Sequence, residues 1–286
     1  MSRLAHVPVR WSWLSQFGQS AAHALESALH GKEPTVSMKL GTAGHVVTFE
    51  QPFEVFRAVN PKTGAVWTRS AKAWDEAETD CAARGVTLLT VAEYDKACRI
   101  RDALRGHSDA ASLLFGPGVV VEQRIAWERD GRACASTPDA RKPDAWIVDL
   151  KVVRSASPRK FCIAAWRAGY PGQLMFYREA DRFDLGLHPD SLGVDLFNVA
   201  VESSPPYAVQ VYELPTATRD YGANLIGRYW EALRVAEECD EWPAYSLGRV
   251  MLEIDEDSDG PTNYDLTDLP DADAPEVGDA DGMGTF

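Results

Sequence analysis

The run AWIVDLKVV, Ala145 to Val153, constrains this chain more than any other stretch. Trp146, Ile147, Val148, Leu150, Val152 and Val153 pack well on a pleated sheet, so the run predicts a buried strand. Two members do not fit that reading, Asp149 and Lys151. Side chains alternate between the faces of a strand, so these two point the same way, about 6–7 Å apart along the chain at ~3.3 Å per residue. A carboxylate and an ammonium side by side in an otherwise apolar strand mark a candidate site.

The rest of the chain can bury such a strand. It has 286 residues, 45% of them apolar and nine of them Trp, enough for one large domain or two small ones. No run of about 18 apolar residues is present, and the N-terminal MSRLAHVPVRWSWL lacks the apolar core of a signal peptide. The expectation is a soluble protein of the cytoplasm with no membrane partner. Five widely spaced cysteines without a C-x-x-C pair argue for reduced thiols over a disulfide frame or a zinc site.

A net charge of −14 disfavours nucleic acid as a partner until it is divided along the chain. From Glu253 onward there are twelve acids and no Lys or Arg; removing those twelve from 43 leaves 31 acids against 29 bases in the body. The body is therefore near neutral, and a local basic groove on it can still bind DNA. The tail is rich in Asp, Gly and Pro, which predicts disorder. The expected division is residues 1–250 as one domain and 251–286 as an acidic, disordered C-terminal tail.

Periodicity predicts an amphipathic helix from Trp11 to Leu29 stopped by Gly31, then a second helix holding His45 and ending near Pro52. Two helices around the short apolar run Val86 to Thr90 follow, then strands on both sides of Asp130-Gly131, a dipeptide suited to a hairpin turn. The Ala145–Val153 strand comes next. Ser157-Pro158 opens a helix, a helical stretch resumes after Pro171-Gly172 through Tyr177, and LFNVAVES with YAVQVYEL forms a late hairpin before a long helix from Ala217 to Glu238. This order predicts an α/β fold with a central mixed sheet flanked by helices.

Upstream of Asp149, STPDARKPDAW places Asp139 ten residues earlier. Acid, gap, acid-x-Lys resembles the PD-(D/E)xK nucleases, with Pro138-Asp139 and Asp149-Leu150-Lys151 as the two halves. Carboxylates brought together on adjacent strands repel each other, and a divalent cation with oxygen ligands relieves that repulsion. Asp144 also follows a proline and remains a rival for Asp139. Five separated segments, two of them holding the motif halves, extend the likeness: GTAGHVVTFEQPFEVF, TLLTVAEYDKACRIRDAL, EQRIAWERDGRACASTPD, WIVDLKVVRSASPRKF and AGYPGQLMFY. In order and spacing they resemble the RecE-like (exonuclease VIII) branch, related to RecB-like and lambda-exonuclease nucleases.

That resemblance implies a restriction-endonuclease-like PD-(D/E)xK core and a Mg²⁺-dependent exodeoxyribonuclease, with Mn²⁺ as a substitute, degrading linear duplex DNA 5′→3′ in phage-type recombination. It implies His45, Asp139, Asp149 and the Leu150 carbonyl as metal ligands. Glu122, Asp139, Asp149 and Lys151 become the catalytic set. Gln173 and Tyr177 form a Q-x-x-x-Y element near DNA, and Arg154, Arg159 and Lys160 a neighbouring basic cluster for phosphate contact. Partners implied are DNA ends, a single-strand annealing recombinase and further copies of the chain in a ring. Thr137, Val152 and Pro171 depart from the residues that the family usually carries at those places. An endonuclease on the same fold and a DNA-end-binding or DNA-mimicking protein are the competing readings.

Overall fold

The computed structural model describes residues 3–31, 34–67, 69, 71–187, 193–245 and 249. The chain divides into two units, and the description below concerns the first, Met1–Tyr245. The acidic tail from Glu253, for which disorder is expected, lies outside the described residues.

The first predicted helix is broken. A short α1 (Trp11–Leu14) runs into a 3-10 turn (Ser15–Gly18), and α2 (Ala21–His30) starts anew because the Ser20 hydroxyl accepts from the His23 backbone N–H and caps it. α3 (Val36–Thr48) is capped in the same way by Thr35 and ends before β1 (Phe53–Phe56). After α4 (Lys72–Ala83), β2 (Thr87–Thr90) pairs parallel with β1. Thr90 and Glu93 form a reciprocal capping box that opens α5 (Val91–Gly106), followed by α6 (Ser108–Phe115).

Next come β3 (Val120–Val121), the hairpin β4 (Ile125–Arg129) and β5 (Arg132–Ser136), then β6 (Ala140–Lys142) and β7 (Trp146–Val153). Asp130 and Gly131 both adopt positive φ, as a tight two-residue hairpin turn demands. That hairpin forms a sheet of its own, however, and packs Trp127 edge-on against Phe176 at 4.8 Å. Helices α7 (Pro158–Ala168) and α8 (Tyr170–Asp184) meet at Gly169, and α8 continues about two turns beyond the expected end at Tyr177. β8 (Asp195–Glu202), β9 (Val209–Glu213) and α9 (Thr216–Cys239) close the unit.

The central sheet has the order β3-β6-β7-β8-β9 and is mixed: β7 and β8 run parallel, and the other neighbours antiparallel. β7 shows why one sheet carries two cores. Ile147 joins the cluster of Trp11, Trp127, Phe176 and Ile226 on the α8 and α9 side. Val148 and Leu150 join Ile100, Leu104, Leu114 and Val199 on the α5 and α6 side. By the same alternation Asp149 and Lys151 lie on the α8 side. Among the described residues no helix is long and apolar enough to cross a membrane.

One buried ion pair ties the β6–β7 hairpin to α8. Arg141 holds Asp181 through Nη1 at 2.5 Å and Asp184 through Nη2 at 2.5 Å, with side chains of Arg141 and Asp181 only 4% and 1% exposed. Arg141→Ala leaves the Asp181 carboxylate buried without its cation and is expected to cost about 3–5 kcal/mol in urea unfolding. Asp184 is 38% exposed, so Asp184→Ala should cost no more than about 1 kcal/mol.

Candidate metal and active site

The β6–β7 hairpin brings the two acids together. Ala140 pairs with Val148, which sets Asp139 level with Asp149 one step further along. The Leu150 backbone N–H donates to Asp139 Oδ2 at 2.6 Å and locks that placement. Asp144 lies in the turn at the other end of the hairpin, exposed and at positive φ. Of the two acids that follow a proline, it is therefore Asp139 that faces Asp149.

His45 arrives from α3. That helix approaches β7 closely at Gly44, where a Cβ would come within 2.9 Å of Val152 Cγ2. The next residue reaches over the strand, and His45 Nε2–H donates to the Leu150 carbonyl at 3.0 Å. A carbonyl only accepts, so this bond fixes the tautomer and leaves Nδ1 facing Glu122 Oε1 and Asp139 Oδ1, each 3.6 Å away. Glu122 follows β3 at φ 49°, a costly conformation for a side chain of its size, and its backbone N–H donates to the Asp139 carbonyl at 3.1 Å. One ligand atom from each of His45, Glu122 and Asp139 can lie within 4.8 Å of the others.

Asp149 is 1% exposed and its two oxygens differ. Oδ2 accepts from Asn198 Nδ2 at 2.9 Å and faces Lys151 Nζ at 2.8 Å. Oδ1 is buried without a hydrogen-bond partner. Lys151 Nζ donates to Gln173 Oε1 at 3.0 Å and sits 4.5 Å from the Tyr170 ring centre. Gln173 Nε2 in turn donates to Tyr177 Oη at 2.8 Å, so the two residues of the Q-x-x-x-Y element share one helix face and form a relay ending on the lysine. Arg154, Arg159 and Lys160 are exposed, past the end of β7 and in the first turn of α7.

Charges in this cluster answer one another. Burial opposes protonation of His45, but the negative charge of Asp139 and then Glu122 outweighs it and raises the imidazole to about 9. Burial pushes Asp139 up to about 7, with His45 pulling it down and Asp149 adding to the rise. Lys151 is disfavoured by burial yet raised on balance by Asp149 and Asp139, so it is an ammonium at neutral pH. Burial, followed by the nearby charges of Asp149 and Asp139, raises the Tyr177 phenol well above its ordinary value.

This donor set suits a divalent cation. Carboxylate oxygens are the ligands that Mg²⁺ and Mn²⁺ take, and an imidazole nitrogen beside them favours the softer Mn²⁺ over Mg²⁺. The orphaned Asp149 Oδ1 is an acceptor whose burial costs about 1–3 kcal/mol unless something binds it. His45, Glu122, Asp139 and Asp149 would hold the ion. In its absence a proton on His45 supplies positive charge among the acids.

Two contributors were not legible beforehand. Asn198 stands in LFNVAVES, 2% exposed among apolar neighbours, the same kind of anomaly that Asp149 makes in its strand. Tyr170 carries no periodic signal in the sequence, yet its ring lies against Lys151.

The sequence profile of a PDDEXK-like domain of unknown function (DUF3799) matches residues 11–250. The chain belongs to this PDDEXK-like family. No curated protein sequence matches it. Among solved structures, this PDDEXK-like chain is similar to a Eubacterium rectale protein assigned as an exonuclease, with a TM-score of 0.59 and 14% identity over 87% of this chain and 90% of the other. A phage-related exonuclease of Haemophilus somnus 129PT gives a TM-score of 0.34 at 11% identity over 82% and 98%. The alkaline exonuclease of Laribacter hongkongensis gives 0.26 at 14% over 60% and 85%. Only the first superposes well enough to bear on the fold, which it shares.

Metal binding at this PDDEXK-like site should expel the proton from His45. Below about 9 that proton is in place, so the apparent Mn²⁺ affinity is expected to rise with pH, by up to about tenfold per unit between 7 and 9, and to level off above. Calorimetric titration checks this. His45→Ala should flatten the dependence and weaken Mn²⁺ binding. It should also lower the unfolding midpoint of the metal-free protein near neutral pH, where the acids lose their counter-charge, an effect that fades as pH rises through about 9.

Proposed function

We propose that this protein is a metal-dependent deoxyribonuclease of the RecE-like type, an exonuclease that hydrolyses linear duplex DNA. The observation that carries the reading is the Asp149–Lys151 pair beside the His45, Glu122 and Asp139 cluster. Family membership and the fold support it, because the PD-(D/E)xK pattern and its sheet meet here in one place.

A bound divalent cation supplies Lewis-acid polarisation of a phosphoryl oxygen and makes water a better nucleophile at neutral pH. His45 Nδ1, Glu122 and Asp139 would hold it, with Asp149 paired across the hairpin from Asp139, while the Leu150 carbonyl orients the His45 ring through Nε2. Lys151 does the rest of the electrostatic work. Its ammonium is held by Asp149 Oδ2 and Gln173 Oε1, which fixes a positive charge where negative charge grows on the phosphate in the transition state. Since that ammonium is firmly protonated, stabilising charge is a better role for it than accepting a proton. Gln173 and Tyr177 orient the lysine, and Arg154, Arg159 and Lys160 bind phosphates flanking the cut.

The five matching segments of sequence support the finer features: 5′→3′ polarity, Mg²⁺ as the working ion, a ring of copies around DNA, and a single-strand annealing recombinase as partner. Such a nuclease works in the cytoplasm of a bacterial or phage-infected cell. Incubation with linear and with covalently closed circular duplex DNA, with and without Mg²⁺, tests the central claim. Loss of the linear form alone is expected; cutting of circles would assign an endonuclease, and no cutting of either would remove the enzyme reading.

Within that assay Lys151→Ala and Asp149→Ala should each lower turnover by at least about 10²-fold, as removal of a transition-state charge stabiliser does. Asp139→Asn should abolish cleavage, whereas Asp144→Asn in the exposed turn should leave it near the parent rate. Parent-like digestion by Lys151→Ala would contradict the assignment.

A further inference from the structure

Between Asp149 and Glu179 the chain carries no acid, although its net charge is −14. Six bases stand in that interval: Lys151, Arg154, Arg159, Lys160, Arg167 and Arg178. Helix α7 occupies the middle of it, and of its 11 residues only Phe161 is buried. On its open side Trp166 is 62% exposed. A large aromatic side chain left in water beside basic residues offers a stacking face to a base, and what gives it weight is the cavity it borders.

Trp166 is also one wall of a cavity of about 510 Å³. Trp11, Tyr221 and Tyr229 contribute further aromatic wall, Gln16 and Arg167 contribute polar groups, and no lining residue is acidic. The volume falls within the ~300–1,000 Å³ typical of small-ligand sites. The lining includes Gly169, and the very next residue, Tyr170, places its ring 4.5 Å from Lys151 Nζ. Cavity and lysine are thus linked across the single corner where α7 turns into α8.

We infer that this cavity is a nucleobase site for a single DNA strand, with a base stacked on Trp166 and the strand's phosphates following the basic open side of α7. The inference rests on the nuclease reading, because it takes nucleic acid as the occupant. Charge complementarity selects that occupant: an acid-free, arginine-bearing rim suits a polyanion. Aromatic walls select an unpaired strand, since only unpaired bases offer their π-faces to a side chain, and such stacking tolerates any sequence. A strand separated from its complement near Lys151 would find its neighbouring base received on the other side of the corner.

Fluorescence anisotropy of the full chain with labelled oligo(dT) and with a blunt duplex, in EDTA to prevent hydrolysis, tests the site. Trp166→Ala should weaken oligo(dT) binding about 5- to 100-fold while changing duplex binding little, and Trp166→Phe should retain most of the affinity. Arg167→Gln should lower the slope of oligo(dT) affinity against salt by about one phosphate contact. The exposure of Trp166 makes its replacement safe for folding, which circular dichroism verifies, and Tyr221→Ala probes the same cavity from α9. The inference is overturned if the parent binds no oligo(dT), if Trp166→Ala binds it like the parent, or if the variant loses duplex equally. It is overturned as well if Trp166→Ala changes only the oligomeric state in gel filtration, which would make the face a contact between copies. A parent that cleaves linear DNA with Trp166→Ala unaltered defeats this inference and leaves the nuclease standing; Trp166-dependent oligo(dT) binding by a parent that cleaves nothing defeats the nuclease reading instead.

Discussion

A carboxylate that is 1% exposed, in a strand paired on both sides, is tolerable only when its charge is met on the spot, and Asp149 sets that requirement for everything around it. The parallel register of β7 on β8 places Asn198 directly beside it, and the two-residue period places Lys151 on the same face. Those two groups satisfy one oxygen. The other has no partner, and the hairpin register sets Asp139 across from it, so burial leaves an unmet need beside the cluster that is the candidate cation site. Helix α8 is fitted to the same hairpin along one face: Gln173 reaches Lys151, Tyr177 reaches Gln173, and Asp181 and Asp184 reach Arg141. One helix face therefore serves both the reactive end of the hairpin and the ion pair that anchors it.

The parts of this arrangement that were visible in the sequence are those governed by short periods. Asp149 and Lys151 share a face because two residues separate them, Gln173 and Tyr177 because four do, and the Asp130-Gly131 turn folds as its dipeptide requires. The central mixed sheet also follows from the order of elements. Strands β3 and β6, with two and three residues, are too short to leave a pattern, and only pairing with β7 and with each other makes them strands. Asn198 escaped for a related reason: a single amide in an apolar strand carries no periodic signal, and its role depends on which residue lies across the sheet. The break after Gly18 was missed because apolar spacing continues through it, while the Ser20 cap restarts the helix.

Electrostatics explains how a chain with so many acids can present a site to phosphate. The body is near balance, and the acids of the cluster are neutralised from within by Lys151 and a protonated His45 before any ion arrives. The run from Lys151 to Arg178 then carries only positive charge past the cluster. On the proposed reading, attraction for a polyanion is thus local, and it is built into the segment that immediately follows β7.

The donors of the cluster come from unequal distances along the chain. Asp139 and Asp149 belong to one hairpin and meet whenever that hairpin closes, but the contact of His45 with the Leu150 carbonyl spans 105 residues and needs α3 seated on the finished sheet through Gly44. Closing a loop of that length costs more chain entropy than closing the hairpin. A paired hairpin alone brings together Asp139 and Asp149 without the imidazole, and the complete candidate ligand set needs the long-range topology as well. If the cluster binds metal as proposed, its competence is in this sense a reading of global folding, taken at a single histidine.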